Sequence, residues 1–224
     1  MASDRGPVRQ YLAWTKYRAW WTTRHLNRLP AEGRLRRHLA ESSPPWNVHI
    51  GAGRNELPGW LNTDVSPRCR YWLDVRHPWP FPKGSVGMVF SDNVIEHLSL
   101  NDGRAFLRNA REAMAPGGVI RTSTPDALGF VRAYLDYPDK HLDAMRAKGW
   151  QAEHPVDLIR TTFSLWGHHS GYVYDEQALT AELVRAGFSS VKRVNLGESD
   201  RVELRGIDRP PADTDFYFVL EAET

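Results

Sequence analysis

Asn47-Val48-His49-Ile50-Gly51-Ala52-Gly53-Arg54 is the stretch that decides how the rest of the chain is read. Trp46, Val48 and Ile50 suit a short buried strand, and Gly51-Ala52-Gly53 then breaks it. Two glycines one residue apart, straight after a strand, let the backbone turn tightly and approach a ligand with no Cβ in the way. The same pattern also serves as a plain turn, so the reading depends on the residues downstream. Asp64 closes the next apolar-flanked stretch, Trp60-Leu61-Asn62-Thr63-Asp64, and Asp74 closes Tyr71-Trp72-Leu73-Asp74. An acid at the end of the second strand is the usual partner of a ribose's hydroxyls.

Working outward, only about ten residues, Pro58-Gly59 among them, separate Gly51 from the second strand, where a parallel crossover normally takes a dozen or more. The first crossover helix is therefore reduced to a turn or so, and Val65 to Arg70 is too short for a second. Pro78, Pro80 and Pro82 make residues 76–83 a rigid loop. Regularity returns with a strand over Val86–Phe90, and Ser91-Asp92-Asn93 comes next, at the edge where open α/β sheets bind ligands. A helix over Asn101–Ala115 places Phe106, Leu107, Ala110 and Met114 on one side, and Pro116-Gly117-Gly118 stops it. Further strands are expected over Val119–Thr124, Val191–Val194 and Phe216–Glu221. Glu176 to Ala186 reads as a helix capped by Asp175 and stopped by Gly187. Residues 126–170 interrupt the alternation with an irregular helical insertion rich in Trp, Tyr and His.

With 224 residues the chain has room for one domain and an appendage. Residues 1–45 read as an N-terminal helical extension and residues 46–224 as the main domain. The extension divides into Pro7–Leu29, ended by Pro30, and a basic helix Ala31–Glu41. Tyr11, Trp14, Tyr17, Arg18 and Trp21 lie at helical spacing. They fit either an accessory helix packing its aromatic face or a lid that meets an acceptor or an anionic surface. The net charge of +2 hides an asymmetry, because residues 1–41 hold nine Lys and Arg against three Asp and Glu. A generally basic surface is not indicated, so nucleic acid is not the expected partner. No run of about 18 apolar residues predicts a transmembrane span, and no apolar leader accompanies Asp4, Arg5 and Arg9. The single cysteine, Cys69, excludes an internal disulfide and a cysteine-rich metal site. A cytoplasmic protein is the simplest expectation, and a homodimer stays open.

Five segments in this order carry a resemblance. They are His-Ile-Gly-Ala-Gly-Arg-Asn, Leu-Asn-Thr-Asp-Val, Leu-Asp-Val-Arg, Phe-Pro-Lys-Gly-Ser-Val-Gly-Met-Val-Phe-Ser-Asp-Asn-Val-Ile-Glu-His-Leu and Ala-Pro-Gly-Gly-Val-Ile-Arg. Together they resemble the class I S-adenosylmethionine-dependent methyltransferases, most of all a short bacterial group that accompanies glycan and polysaccharide biosynthesis. The match covers Val48 to Asp126 and returns, more faintly, at Trp166-Gly167-His168 and Tyr174-Asp175. It implies an α/β, Rossmann-like seven-stranded sheet whose last strand is antiparallel. It implies S-adenosyl-L-methionine as cofactor, with Gly51, Ala52 and Gly53 beside its methionine portion and Arg54 and Asn55 close by. Asp64 would accept from both ribose hydroxyls, Asp74 would meet the adenine amino group, and Val75 would offer its backbone N–H to the ring. Ser91, Asp92 and Asn93 would line the mouth where the methyl points. The group usually has Gly-Cys-Gly at Gly51-Ala52-Gly53 and often Glu-His at Asp92-Asn93, so the acceptor side is where this chain departs.

Methyl transfer displaces an already activated sulfonium carbon, so the protein mainly positions donor and acceptor. The resemblance points to O-methylation of a sugar or polysaccharide hydroxyl. A small-molecule O- or N-methyltransferase, or a non-catalytic cofactor-binding module, is the alternative. A hydroxyl is a poor nucleophile and gains from a nearby base. His168 is the first candidate, with Asp92 and His97 behind it, and Asp126, His169, Tyr172 and Tyr174 are candidate acceptor contacts. A divalent cation such as Mg2+, held by Asp92, Glu96 or Asp126, could replace the base by polarising the hydroxyl, but no spacing compels one and no metal site is assigned. An NAD-dependent oxidoreductase would want a small residue at Glu56 and about twenty residues before its acid, and neither is present.

Overall fold

The computed structural model describes residues 24–147, 152–164, 168–209 and 216–224. Seven strands form one sheet: β1 (Trp46–Ile50), β2 (Leu61–Asp64), β3 (Tyr71–Trp72), β4 (Val86–Asp92), β5 (Met114–Pro125), β6 (Ser189–Val194) and β7 (Tyr217–Glu223). Their order is β3-β2-β1-β4-β5-β7-β6. The first five run parallel, and β7 inserts antiparallel between β5 and β6. This is the Rossmann-like sheet with a reversed last strand that the resemblance implies. The order turns back at β1 and β4, so the loops after those two strands diverge and open a crevice at their C-terminal ends.

Among the described residues six α-helices accompany the sheet: α1 (Arg28–Glu41), α2 (Leu100–Ala113), α3 (Ala127–Asp136), α4 (Pro138–Ala147), α5 (Val156–Ser164) and α6 (Glu176–Arg185). The early crossovers are reduced as expected, with no helix among the described residues between β1 and β4. The core is built from Val48, Ile50, Val89 and Ile120 of the sheet against Phe106, Leu107, Leu179 and Leu183 of α2 and α6. Each such side chain is worth about 1.5–3 kcal/mol when fully buried. Ser99 caps α2 by accepting from the Asp102 N–H, Asp175 caps α6, and Gly187, at φ 93°, ends the turn after it. Behind the sheet Arg121 is fully buried and meets Asp208 and Glu221, which pins residues 195–208 to β5.

Several expected boundaries move. Pro30 does not end a helix; it is the third residue of α1, where the backbone N–H has no intrahelical acceptor and a proline costs no bond. The aromatic stretch Tyr11 to Trp21 lies outside the described residues, as do Trp166 and Gly167. Helix α2 ends at Ala113, before Pro116-Gly117-Gly118, because Met114 already pairs with Val86 in the sheet. A Cβ on Gly118 would lie 2.8 Å from the Gly87 carbonyl oxygen, so glycine permits the close strand approach there. Strand β3 stops at Trp72, which leaves Asp74 beyond the strand and not at its end. Among the described residues no helix is long and apolar enough to cross a membrane.

Candidate active site

The turn after β1 is built as the two glycines suggest, with φ of 68° at Gly51 and 57° at Gly53, the left-handed region that glycine adopts freely. The two differ in what they face. A Cβ on Gly51 would lie 2.4 Å from Val94 Cγ2, so the chain itself fills that space. A Cβ on Gly53 would meet nothing nearer than the Gly51 carbonyl at 3.9 Å, so its backbone lies open. Asp64 ties this turn to the end of β2. Its Oδ2 accepts from the Gly53 N–H at 2.8 Å and its Oδ1 from the Ser66 N–H at 2.8 Å. An ionised carboxylate has about four lone-pair sites, so two remain for a ligand's hydroxyls. The Asn55 N–H closes the turn on the Ala52 carbonyl at 2.8 Å, and Asn55 Nδ2 is buried with no hydrogen-bond partner among the described residues. Arg54 is exposed and Ala52 buried.

Asp74 is already engaged. Arg76 Nε donates to its Oδ1 at 2.8 Å and an Arg76 guanidinium N–H to its Oδ2 at 2.6 Å. Burial works to raise this carboxyl, but the Arg76 hydrogen bonds and charge outweigh it and hold the group below the usual aspartate range. Asp74 also borders a cavity of about 400 Å3 lined by Arg28, Leu35, Trp72 and Trp79, which contains no residue of the glycine turn. An adenine amino group would have to share the carboxylate with Arg76. The Val75 carbonyl accepts from Asn109 Nδ2 at 3.1 Å, anchoring this segment to α2.

At the end of β4 the three expected residues part company. Ser91 is fully buried and donates to Thr122 Oγ1 at 2.9 Å, so its side chain is spent between β4 and β5 and does not line the mouth. Asp92, half-buried, accepts from Ser123 Oγ at 2.7 Å and from the Tyr217 hydroxyl. Asn93 is exposed and held at φ 54°, uncommon for a residue with a side chain. Its Nδ2 donates to the Tyr217 oxygen at 2.9 Å. Burial, with the neighbouring Asp92 charge, pushes the Tyr217 phenol up, so it stays protonated and donates.

The late loop docks on the turn after β4. Gly171 packs against the Glu96 backbone, and the Tyr172 N–H donates to the Leu98 carbonyl at 2.9 Å. This brings His168 beside His97, with ring centroids 4.8 Å apart. His168 is 4% exposed, and its Nδ1 lies 2.6 Å from the Thr162 carbonyl. Since a carbonyl only accepts, Nδ1 carries the proton and Nε2 the lone pair. Burial lowers the His168 pKa, and the Thr162 bond partly opposes it. Glu96, 1% exposed, accepts from Thr124 Oγ1 at 3.1 Å through Oε2, and its Oε1 has no hydrogen-bond partner among the described residues. Burial pushes this carboxyl up to about 8.

Two expected acceptor contacts have other duties. Tyr174 is fully buried, and its hydroxyl lies 2.7 Å from where a Cβ on Gly103 would be, so it belongs to the core under α2. Asp126 caps α3 by accepting from the Leu128 N–H at 3.0 Å. Tyr172 is 39% exposed, with its ring against Tyr174. The His169 side chain lies outside the described residues. Sequence reasoning misses Tyr217, Ser123 and Thr124, and only their places at the end of β5 and the start of β7 point to them.

No protein-family profile and no curated protein matches the chain. Solved structures of similar layout include an S-adenosylmethionine-dependent methyltransferase from Thermotoga maritima. It is 15% identical, with 93% of this chain and 95% of that chain covered and a TM-score of 0.48. Another S-adenosylmethionine-dependent methyltransferase, from Mesorhizobium loti, is 17% identical, with 85% of this chain and 95% of that chain covered and a TM-score of 0.47.

Proposed function

We propose that this chain transfers a methyl group from S-adenosylmethionine to a hydroxyl, on a sugar or polysaccharide acceptor. The observation that carries the reading is the link between Gly53 and Asp64: an open glycine backbone and a strand-end carboxylate joined at 2.8 Å, beside the point where the strand order reverses. The residues present fit the cofactor there. Gly53 leaves room for a chain to pass, and Asp64 keeps lone pairs for ribose hydroxyls. When bound, S-adenosylmethionine supplies an activated sulfonium methyl. The protein's own part is to hold donor and acceptor in line and to deal with the acceptor's proton.

Asp92 and Asn93, locked by Tyr217, form the rim of the mouth. Glu96, His97 and His168 form the polar group next to it, where the acceptor's proton is handled. The sugar class rests on the resemblance of the five segments, supported by the polar rim and the exposed Tyr172 ring. The insertion from residue 126 to 170 contributes His168 and so forms part of the acceptor side.

The test has two parts. Calorimetry with S-adenosylhomocysteine should give a roughly 10-fold to 150-fold weaker affinity for Asp64→Ala, since charge-assisted hydrogen bonds are worth about 1.5–3 kcal/mol. Labelled methyl transfer to a panel of sugars and glycans should then find an acceptor. An unchanged affinity in the variant would remove the basis of the cofactor site, and transfer only to amines or phenols would remove the sugar class.

A further inference from the structure

Glu96 and His97 are adjacent in the sequence, while His168 arrives from the far end of the helical insertion. The fold nevertheless brings one ligand-type atom of each within 4.8 Å of the others. We propose that these three side chains bind a divalent first-row transition ion of the zinc type. The proposal rests on the methyltransferase reading for the use of the ion, though not for its binding.

Three observations carry it. The first is the donor set: two imidazoles and one carboxylate suit zinc-like ions, whereas magnesium prefers oxygen ligands throughout. The second is the outer hydrogen bonding. The Thr162 carbonyl at 2.6 Å holds the His168 ring in the tautomer whose lone pair is on Nε2. Thr124 holds Glu96 through Oε2 at 3.1 Å. A metal-binding histidine and carboxylate commonly have such supports, one on the atom that does not coordinate. The third is Glu96 Oε1, an oxygen buried with the rest of a 1% exposed side chain and lacking any hydrogen-bond partner among the described residues. A buried polar atom left unsatisfied is costly, and a cation would satisfy it.

The geometry needs little adjustment. Ligands about 2.0–2.2 Å from a tetrahedral ion lie roughly 3.4 Å apart, so a spread of up to 4.8 Å closes by up to about 1.4 Å. His97 is the exposed member of the three. Three protein ligands leave a coordination position for the acceptor. A hydroxyl bound there loses its proton to water more easily. Its oxygen then forms the C–O bond as the sulfonium C–S bond breaks, leaving a methyl ether, a neutral thioether and one proton in solution.

The experiment uses the full chain, stripped with a chelator and dialysed against Zn2+ or Co2+. Metal content is read by mass spectrometry, and the visible d–d absorption of Co2+ reports its ligands. One ion per chain is expected. Glu96→Gln, which keeps the size of the buried side chain, and His97→Gln at the surface should each weaken binding at least tenfold without changing S-adenosylhomocysteine affinity. No stoichiometric ion, or equal binding by both variants, overturns the site. An ion bound with no S-adenosylhomocysteine binding supports the site and overturns the methyltransferase reading; the reverse pattern overturns the site alone.

Discussion

Gly171→Ala adds one carbon at the place where the late loop rests on the turn after β4. That carbon would lie 1.8 Å from the Glu96 carbonyl oxygen, 2.9 Å from the Glu96 carbonyl carbon and 3.1 Å from His97 Cα. All three are backbone atoms, so no side chain can rotate out of the way. To reach even 3.0 Å from the oxygen the loop must withdraw by about 1.2 Å, a shift of the kind that overpacking forces at about 1–3 kcal/mol. The 2.9 Å bond from the Tyr172 N–H to the Leu98 carbonyl is lost or lengthened with it, for about 1 kcal/mol more. A total of roughly 2–4 kcal/mol corresponds to a fall in Tm of roughly 5–15 °C for a domain of this size. The same withdrawal carries His168 away from Glu96 and His97, while Gly53 and Asp64 are untouched. Scanning calorimetry should therefore show the lower Tm, and titration should show S-adenosylhomocysteine affinity within about twofold of the parent, roughly 0.4 kcal/mol. A variant with unchanged Tm and unchanged acceptor turnover would refute the docking of this loop on residues 95–98.

Tyr217→Phe removes the hydroxyl that donates to Asp92 and accepts from Asn93, and should cost about 1–3 kcal/mol in urea denaturation while lowering methyl transfer. An equally stable, fully active variant would show that the rim does not need this tie. The Asp74–Arg76 pair should make stability depend on pH in one direction. Because the folded carboxyl lies below its ordinary value of about 3.9, its contribution is complete above that value and is lost as pH falls through the lower folded one. Arg76→Leu should accordingly be about 1 kcal/mol less stable at pH 7, with the gap closing only below about pH 4. A gap of the same size at pH 2.5 would assign it to packing and not to charge.

Legibility in the sequence tracks the range of the interactions involved. The β1 strand, its glycine turn and Asp64 lie within nineteen residues of one another, between Trp46 and Asp64, and strand period, turn chemistry and a strand-end acid are all local signals. The cap at Asp175 is equally local, accepting from an N–H three residues on, whereas Asp126, expected to meet the acceptor, caps α3 in the same local way. Asp74 is legible as a polar residue after a strand, but its engagement depends on Arg76 two residues later. Tyr217 is different. It meets Asp92 across 125 residues, and nothing near either residue announces the contact. Tyr174 and Tyr172 look alike in a loop rich in histidine and tyrosine. Docking of the loop buries one ring, its hydroxyl in the space that Gly103 leaves on another element, and keeps the other at the surface.

Glu96, expected only as one possible cation ligand, and His97, expected only as a reserve base behind His168, are not legible as one cluster with His168 in the sequence. Their meeting depends on residues 168–172 settling onto residues 95–98, and the residue that allows it, Gly171, carries no chemistry of its own. Residues 93–98 in fact serve both halves of the crevice. Asn93 reverses the chain at φ 54°, Val94 fills the space left by Gly51, Ile95 is fully buried in the core, and Glu96 and His97 face the late loop. A side chain added at Gly51 would therefore press on Val94 and disturb the Glu96–His97 side as well as the glycine turn. Loss of activity in a Gly51 variant would say little about cofactor contact. Asp64, which accepts from the backbone N–H groups of Gly53 and Ser66, isolates the cofactor side, and Glu96→Gln isolates the other.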